Sequence, residues 1–199
     1  MDFIASFMSA ALVALFLQNA IYERALGINI LLYASRRKWD VVGFTLSLYY
    51  ITTTSSAAVW GLEYALNRLV GENVNYTMYV PVLYVLVVGI IYIVSLLAVW
   101  RYFHKMYKKI KRFVHLTVFN CAVLGGLFIN SQADRDFASY IGYGLGTALG
   151  FFLAGFLLYV SFERLNSELV PKAFRGMPIM IIYVGIISMA LHAFAGYVI

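Results

Sequence analysis

The stretch Val114-His115-Leu116-Thr117-Val118-Phe119-Asn120-Cys121-Ala122-Val123-Leu124-Gly125-Gly126 decides how this chain is read. It is apolar, runs on to Asn130, and holds the single cysteine of the 199-residue sequence. Paired glycines weaken a helix and permit close backbone approach. Asn120 and Asn130 need hydrogen-bond partners if hydrocarbon surrounds them. A helix broken here would set the Cys121 thiol at its end, aimed inward. The plainer alternative is a small apolar thiol in a helix–helix contact, the usual habit of a free cysteine.

Working outward, the composition matches an integral membrane protein. The chain is 63% hydrophobic and 12% charged, against about 45–50% and about 25% in soluble domains. A spanning helix needs about 20 apolar residues. Besides the stretch above, apolar segments run from about Phe3 to Tyr33, Val41 to Leu66, Thr77 to Phe103, Phe137 to Phe162 and Met177 to Ile199. They are too long and too little alternating for strands. The expectation is an all-α integral membrane protein with six transmembrane helices in one domain, residues 1–199, with the first and fourth spans interrupted. The start Met1-Asp2-Phe3 lacks the basic region of a signal peptide, and one cysteine excludes an internal disulfide.

Charge sorts the linkers. Arg36, Arg37 and Lys38 follow the first span. Arg101, Lys105, Lys108, Lys109, Lys111 and Arg112 lie between the third and fourth, and Arg164, Lys172 and Arg175 between the fifth and sixth. Gly71-Glu72-Asn73 and Ala133-Asp134-Arg135-Asp136, in the other linkers, carry little positive excess. Basic loops stay cytoplasmic, so both termini are expected outside. The net charge of +6 belongs to these loops and is no nucleic-acid signal. Three spans per half, about 1–103 and 104–199, would make the halves inverted repeats, an arrangement associated with sites near the midplane.

Glu23 and Arg24 interrupt the first span beside Gln18-Asn19. Intramembrane charges default to functional candidates, and neighbours on a helix do not face each other, so separate partners are expected. Alternatively the span ends near Gln18 and the pair sits at the interface or in a re-entrant turn. The hydroxyl run Thr52-Thr53-Thr54-Ser55-Ser56 reads as helix packing rather than an ion path. Ala138, Gly142, Gly146, Gly150 and Ala154 form a small-residue stripe for close helix approach. His115 and Cys121 do not share a helix face; His115 and His192 read as packing or interfacial residues. Asn75-Tyr76-Thr77 fits a short glycosylation motif. Trp39, Tyr76 and Trp100 fit interface anchors.

Around Cys121 the chain resembles the A subunit of the Rnf electron-transport complex and the related E subunit of the sodium-pumping NADH:quinone reductase. Asn120 to Gly125 reproduce the core of the family's Thr-Asn-Cys-Ala-Val-Leu-Gly signature. Tyr143-Gly144, Gly150-Phe151, Glu163-Arg164-Leu165, Val170-Pro171 and Phe174-Arg175-Gly176 fit its later motifs. The match covers about the C-terminal 85 residues well. In the first half Asn19, Arg24, Leu26-Gly27 and Arg37-Lys38 keep the expected order.

The resemblance implies a bacterial or archaeal cytoplasmic-membrane subunit of two inverted repeats. It implies pairing with a paralogous six-helix subunit of opposite orientation and a shared [2Fe–2S] cluster with two cysteines from each. Other subunits carrying flavin and iron–sulfur centres complete such a complex, which couples redox chemistry to sodium or proton movement. Cys121 matches the second-half ligand. The first-half ligand stands in Leu-Gly-Leu-Cys-Pro, where this chain has Leu26-Gly27-Ile28-Asn29-Ile30, so Asn29 occupies a cysteine position. An amide is a poor ligand for a soft site. Glu23 beside Arg24 is also atypical. Three readings stand: an electron-relaying subunit, a cluster-free scaffold of such a complex, or a small secondary transporter with its site at Glu23 and Arg24. With no flavin or nucleotide domain, the chain does not catalyse the redox reaction alone.

Overall fold

The computed structural model describes residues 3–70, 79–102, 106–132 and 136–195, and every regular element in them is helical. Tyr76, the Asn75-Tyr76-Thr77 motif, Lys105, Gly71-Glu72-Asn73 and Ala133-Asp134-Arg135 lie outside the described residues. Helix α1 (Phe3–Leu12) widens into a π-helical turn, Val13–Leu17. There follow α2 (Ile28–Ala34), α3 (Lys38–Val70), α4 (Val80–Tyr102), α5 (Tyr107–Val118), α6 (Cys121–Ser131), α7 (Phe137–Leu165) and α8 (Met177–Ala195).

The first apolar stretch ends as a helix at Leu17, and Asn19 organises the break. Asn19 is buried; its Nδ2 donates to Leu15 O at 2.8 Å, and its Oδ1 accepts the N–H groups of Ile21 and Tyr22 at 3.0 and 3.3 Å. The amide thus replaces helical bonds that the backbone gives up. Glu23 and Arg24 fall in this irregular segment and pair with each other at 3.8 Å, both partly exposed. Separate partners, expected from helix geometry, are therefore corrected: irregular backbone lets adjacent side chains converge. Such an exposed pair contributes about 0–1 kcal/mol.

The core forms where α7 crosses α3 and α1. Thr52 Oγ1 on α3 lies 2.8 Å from both Leu48 O and Gly144 O, so this member of the hydroxyl run joins α3 to α7. The stripe on α7 seats α1 backbone to backbone. A Cβ on Gly142 would lie 2.3 Å from Phe7 O, one on Gly146 2.3 Å from Ala11 O, and one on Gly150 2.7 Å from Asn19 Nδ2. On α4, Tyr84, Val88 and Ser95 are buried, whereas Val82, Leu86, Ile90, Ile93 and Leu97 are exposed. That is an apolar outer face suited to lipid.

Contacts fix the helix directions. Tyr50 meets Ser95 and Glu63 meets Tyr84, so α3 and α4 are antiparallel. Val41 packs at Gly155 and Glu63 meets Tyr140, so α3 and α7 are antiparallel too. Phe7 at Gly142 and Ala11 at Gly146 make α1 parallel to α7. Tyr92 meets His115 and Tyr84 meets Phe128, so α5–α6 runs against α4. The basic linker ends of α3, α4, α5 and α7 therefore share one end of the bundle.

By length and composition, two helices suffice to cross a membrane, α4 and α7; α5 and α6, joined at a 48° bend, make a third if taken as one broken span. The six apolar segments of the sequence thus yield fewer uninterrupted crossings among the described residues. The apolar helices Phe3–Leu17 and Met177–Ala193 are shorter, and α3 carries hydroxyls and charges along its length.

Candidate functional site

Two helix starts meet where the first and fourth apolar segments break. Gly27 is the N-cap of α2 with φ +82°, a left-handed conformation that only glycine adopts without penalty. Asn120 is the N-cap of α6, extended at ψ 129°, and its Oδ1 accepts the Ala122 N–H at 3.0 Å. Asparagine is among the best residues for this role. A Cβ on Gly27 would lie 2.6 Å from Asn120 Oδ1 and 2.9 Å from its Nδ2, so both caps share one tight contact. Asn120 is buried, and its Nδ2 has no hydrogen-bond partner among the described residues.

The break therefore falls at Phe119-Asn120, not at the glycine pair. Gly125 and Gly126 lie inside α6, and Gly125 receives the Leu26 side chain: a Cβ there would be 2.4 Å from Leu26 Cδ1. The glycines serve close approach, and the asparagine cap makes the break.

Cys121 is the first residue of α6 and is exposed. The expectation that its thiol aims inward is corrected. Asn120 takes the interior side, and the next residue on a helix turns about 100° away. Asn29 sits in the first turn of α2 and is exposed as well. Cys121 and Asn29 thus flank the Gly27–Asn120 contact, each within two residues of it. The N-terminal end of α6 favours a negatively charged neighbour. Among the described residues, no three His, Cys, Asp or Glu side chains converge as a metal site. What this chain offers a soft metal centre is one thiol; the Asn29 amide does not fit a thiolate's place.

The remaining candidates lie apart. The cleft lined by Tyr22, Glu23, Ser188 and His192 holds about 10 Å³, room for one water at most. His115 Nδ1 lies 2.8 Å from the Tyr92 hydroxyl at the surface. Asn130 is buried and donates to Tyr140 O at 3.1 Å. A constellation that the motifs do not reveal is Glu63, whose two carboxylate oxygens accept the Tyr84 and Tyr140 hydroxyls. The signal was present: Glu63 is a charge inside the second apolar segment, and such charges are functional candidates by default.

The sequence model of the family described as "Rnf-Nqr subunit, membrane protein" matches residues 7–198. The chain is 30% identical over 183 residues to the A subunit of the Na(+)-translocating ferredoxin:NAD(+) oxidoreductase complex of Acetobacterium woodii, covering 92% of this chain and 93% of that one. It is 30% identical over 185 residues to the A subunit of the ion-translocating oxidoreductase complex of Syntrophotalea carbinolica, covering 93% and 94%. Against the protein so named in Cereibacter sphaeroides it is 30% identical over 195 residues, covering 98% and 97%. With nearly the whole chain matched, and with its helical, apolar architecture, this protein belongs to the Rnf-Nqr family of membrane subunits.

Proposed function

We propose that this chain is a membrane subunit of an ion-translocating oxidoreductase complex and that Cys121 gives one thiolate to an iron–sulfur cluster shared with a paralogous subunit. The observation that carries the reading is the exposed Cys121 at the start of α6, set against the start of α2 by the Gly27–Asn120 contact. An outward-facing thiol suits a ligand set completed by a neighbour. The relatives are named as members of such multi-subunit complexes, which supports other complex subunits as partners.

A [2Fe–2S] centre takes four ligands, usually thiolates. Cys121 fits one of them and Asn29 does not fit another, so with two cysteines from the paralogous subunit the set reaches three and the fourth ligand is not a thiolate of this chain. When bound, the cluster supplies one-electron transfer. The chain's own part is to fix the sulfur: Asn120 caps α6 and orients its first turn, while Gly27 lets α2 close against it.

Helix directions support two inverted three-helix repeats. α1 runs opposite to α5–α6, and α3 opposite to α7. Ser161 Oγ donates to the Tyr183 hydroxyl at 2.7 Å, and Ser188 bonds Tyr22 O three residues from the Asn19 that meets Gly150, so α8 runs antiparallel to α7 and opposite to α4. The shared basic end supports cytoplasmic linkers and outside termini in a bacterial or archaeal membrane.

The test is iron content and visible absorbance of the purified complex, with and without Cys121→Ser. A fall of about two irons per complex, with the matching part of the absorbance, sustains the electron relay. Unchanged iron and absorbance would leave a cluster-free scaffold, the reading that Asn29 favours.

A further inference from the structure

A second polar centre lies toward the end of the bundle opposite the basic linkers. Glu63 projects from α3, in the last third of that helix, and is half-buried. Tyr84, near the start of α4, donates its hydroxyl to Glu63 Oε1. Tyr140, near the start of α7, donates to Glu63 Oε2. Both tyrosines are at most 2% exposed. Behind them, in the last turn of α6, Asn130 is fully buried and donates to Tyr140 O. Three helices thus meet at one carboxylate, with α6 braced against Tyr140 behind them.

Among the described residues no basic side chain forms an ion pair with Glu63. On its own helix Arg68 turns to the Tyr64 hydroxyl at 3.3 Å. Asp136, the N-cap of α7, lies one turn before Tyr140 and brings no positive charge. A half-buried carboxylate without a cation costs free energy. Two phenol donors offset part of that cost, but they do not neutralise the charge. The cluster presents two carboxylate oxygens and two phenol oxygens at one point, the hard-oxygen chemistry that suits hard cations rather than soft ones.

We propose that Glu63, with Tyr84 and Tyr140, is an exchangeable site for one monovalent cation, an alkali ion or a proton, that enters from the bundle end opposite the basic linkers. The site is separate from Cys121. Asn130 lies nine residues along α6 from Cys121, roughly 13 Å at 1.5 Å per residue. The proposal rests on the membrane-subunit reading and not on a cluster at Cys121, whose iron is measured on the same preparation.

Infrared difference spectroscopy of the purified complex in lipid nanodiscs tests it, comparing sodium chloride with choline chloride and then stepping the pH. A carboxylate band that responds to sodium and disappears in Glu63→Gln sustains the site as an alkali-ion site. Tyr84→Phe and Tyr140→Phe, which keep the ring and the packing, then raise the half-saturating sodium concentration about tenfold, because each removes one phenol oxygen from the hard ligands offered to the ion. A carboxyl band blind to sodium but responsive to pH, absent in Glu63→Gln and altered in both phenylalanine variants, sustains it as a proton site. If no band removed by Glu63→Gln responds to sodium or to pH, the proposal is overturned and Glu63 is a fixed brace for two buried phenols.

Discussion

Gly27 and Asn120 hold the starts of α2 and α6 together with no space for a β-carbon between them. One residue supplies the left-handed backbone, the other the helix cap. The two irregular segments of the chain are thus a single structural unit, and Cys121 and Asn29 take their positions from it.

Gly27→Ala tests that unit. The new methyl meets Asn120, and φ +82° is strained for alanine. A loss of about 1–3 kcal/mol is expected from the backbone alone, read as a lowered midpoint of thermal unfolding in detergent. Unchanged stability would mean that the two helix starts move apart freely.

Asn120→Ala removes the cap and is expected to cost about 1 kcal/mol. Asn120→Ser keeps a capping oxygen and discards the buried Nδ2 that lacks a partner. Serine should therefore melt near the parent and alanine below it. Equal melting of the two variants would remove capping as the cause of the break.

Thiol labelling reports the surroundings of Cys121. The isolated subunit should react with a small membrane-permeant maleimide because the sulfur is exposed. Within the assembled complex the same reagent should react at least tenfold more slowly. Equal rates would place Cys121 away from every partner.

Glycine substitutions on α7 and α4 separate packing from composition. Gly146→Ala drives a methyl toward Ala11 O, a backbone atom that cannot swing aside, and should lower stability and loosen α1. Gly89→Ala meets nothing within 4 Å, so it should be neutral or gain up to about 1 kcal/mol from helix propensity. Protease sensitivity of the α1 segment, beside the melting midpoint, distinguishes them.

Asp136 gives a pH prediction outside the spanning segments. The Ser139 hydroxyl donates to its carboxylate and holds that carboxyl below the ordinary range. A folded value below the unfolded one stabilises the fold above the unfolded range, and the gain is lost as pH falls through the folded value. Ser139→Ala should therefore flatten the acid limb of stability against pH by lowering stability at neutral pH, while stability below the folded value stays almost unchanged. An identical acid limb would exclude this contact as its source.

Much of this was legible in the sequence because membrane helices leave coarse marks. Apolar length, basic linkers and the words around Cys121 point to a membrane subunit of this family, and the family match covers residues 7–198. The stripe from Ala138 to Ala154 also reads correctly as packing, because close helix approach has a compositional signature. What composition conceals is local geometry. The outward turn of Cys121 depends on one asparagine cap, and the Glu23–Arg24 pair depends on backbone that is no longer helical. Glu63 acquires meaning only through tyrosines 21 and 77 positions away in the chain. No local motif encodes such a meeting.

The glycine stripe on α7 also constrains the widened turn at Val13–Leu17. A repeat of four residues outruns a 3.6-residue turn by roughly 40° at each step, so the stripe curls around α7 as a shallow spiral. A straight rod laid along it would lose its footing within a few steps. The chain keeps its footing through that looser coil, which delivers Asn19 to Gly150 after Phe7 and Ala11 have met Gly142 and Gly146. The track on one helix thus ends beside the place where the other unwinds.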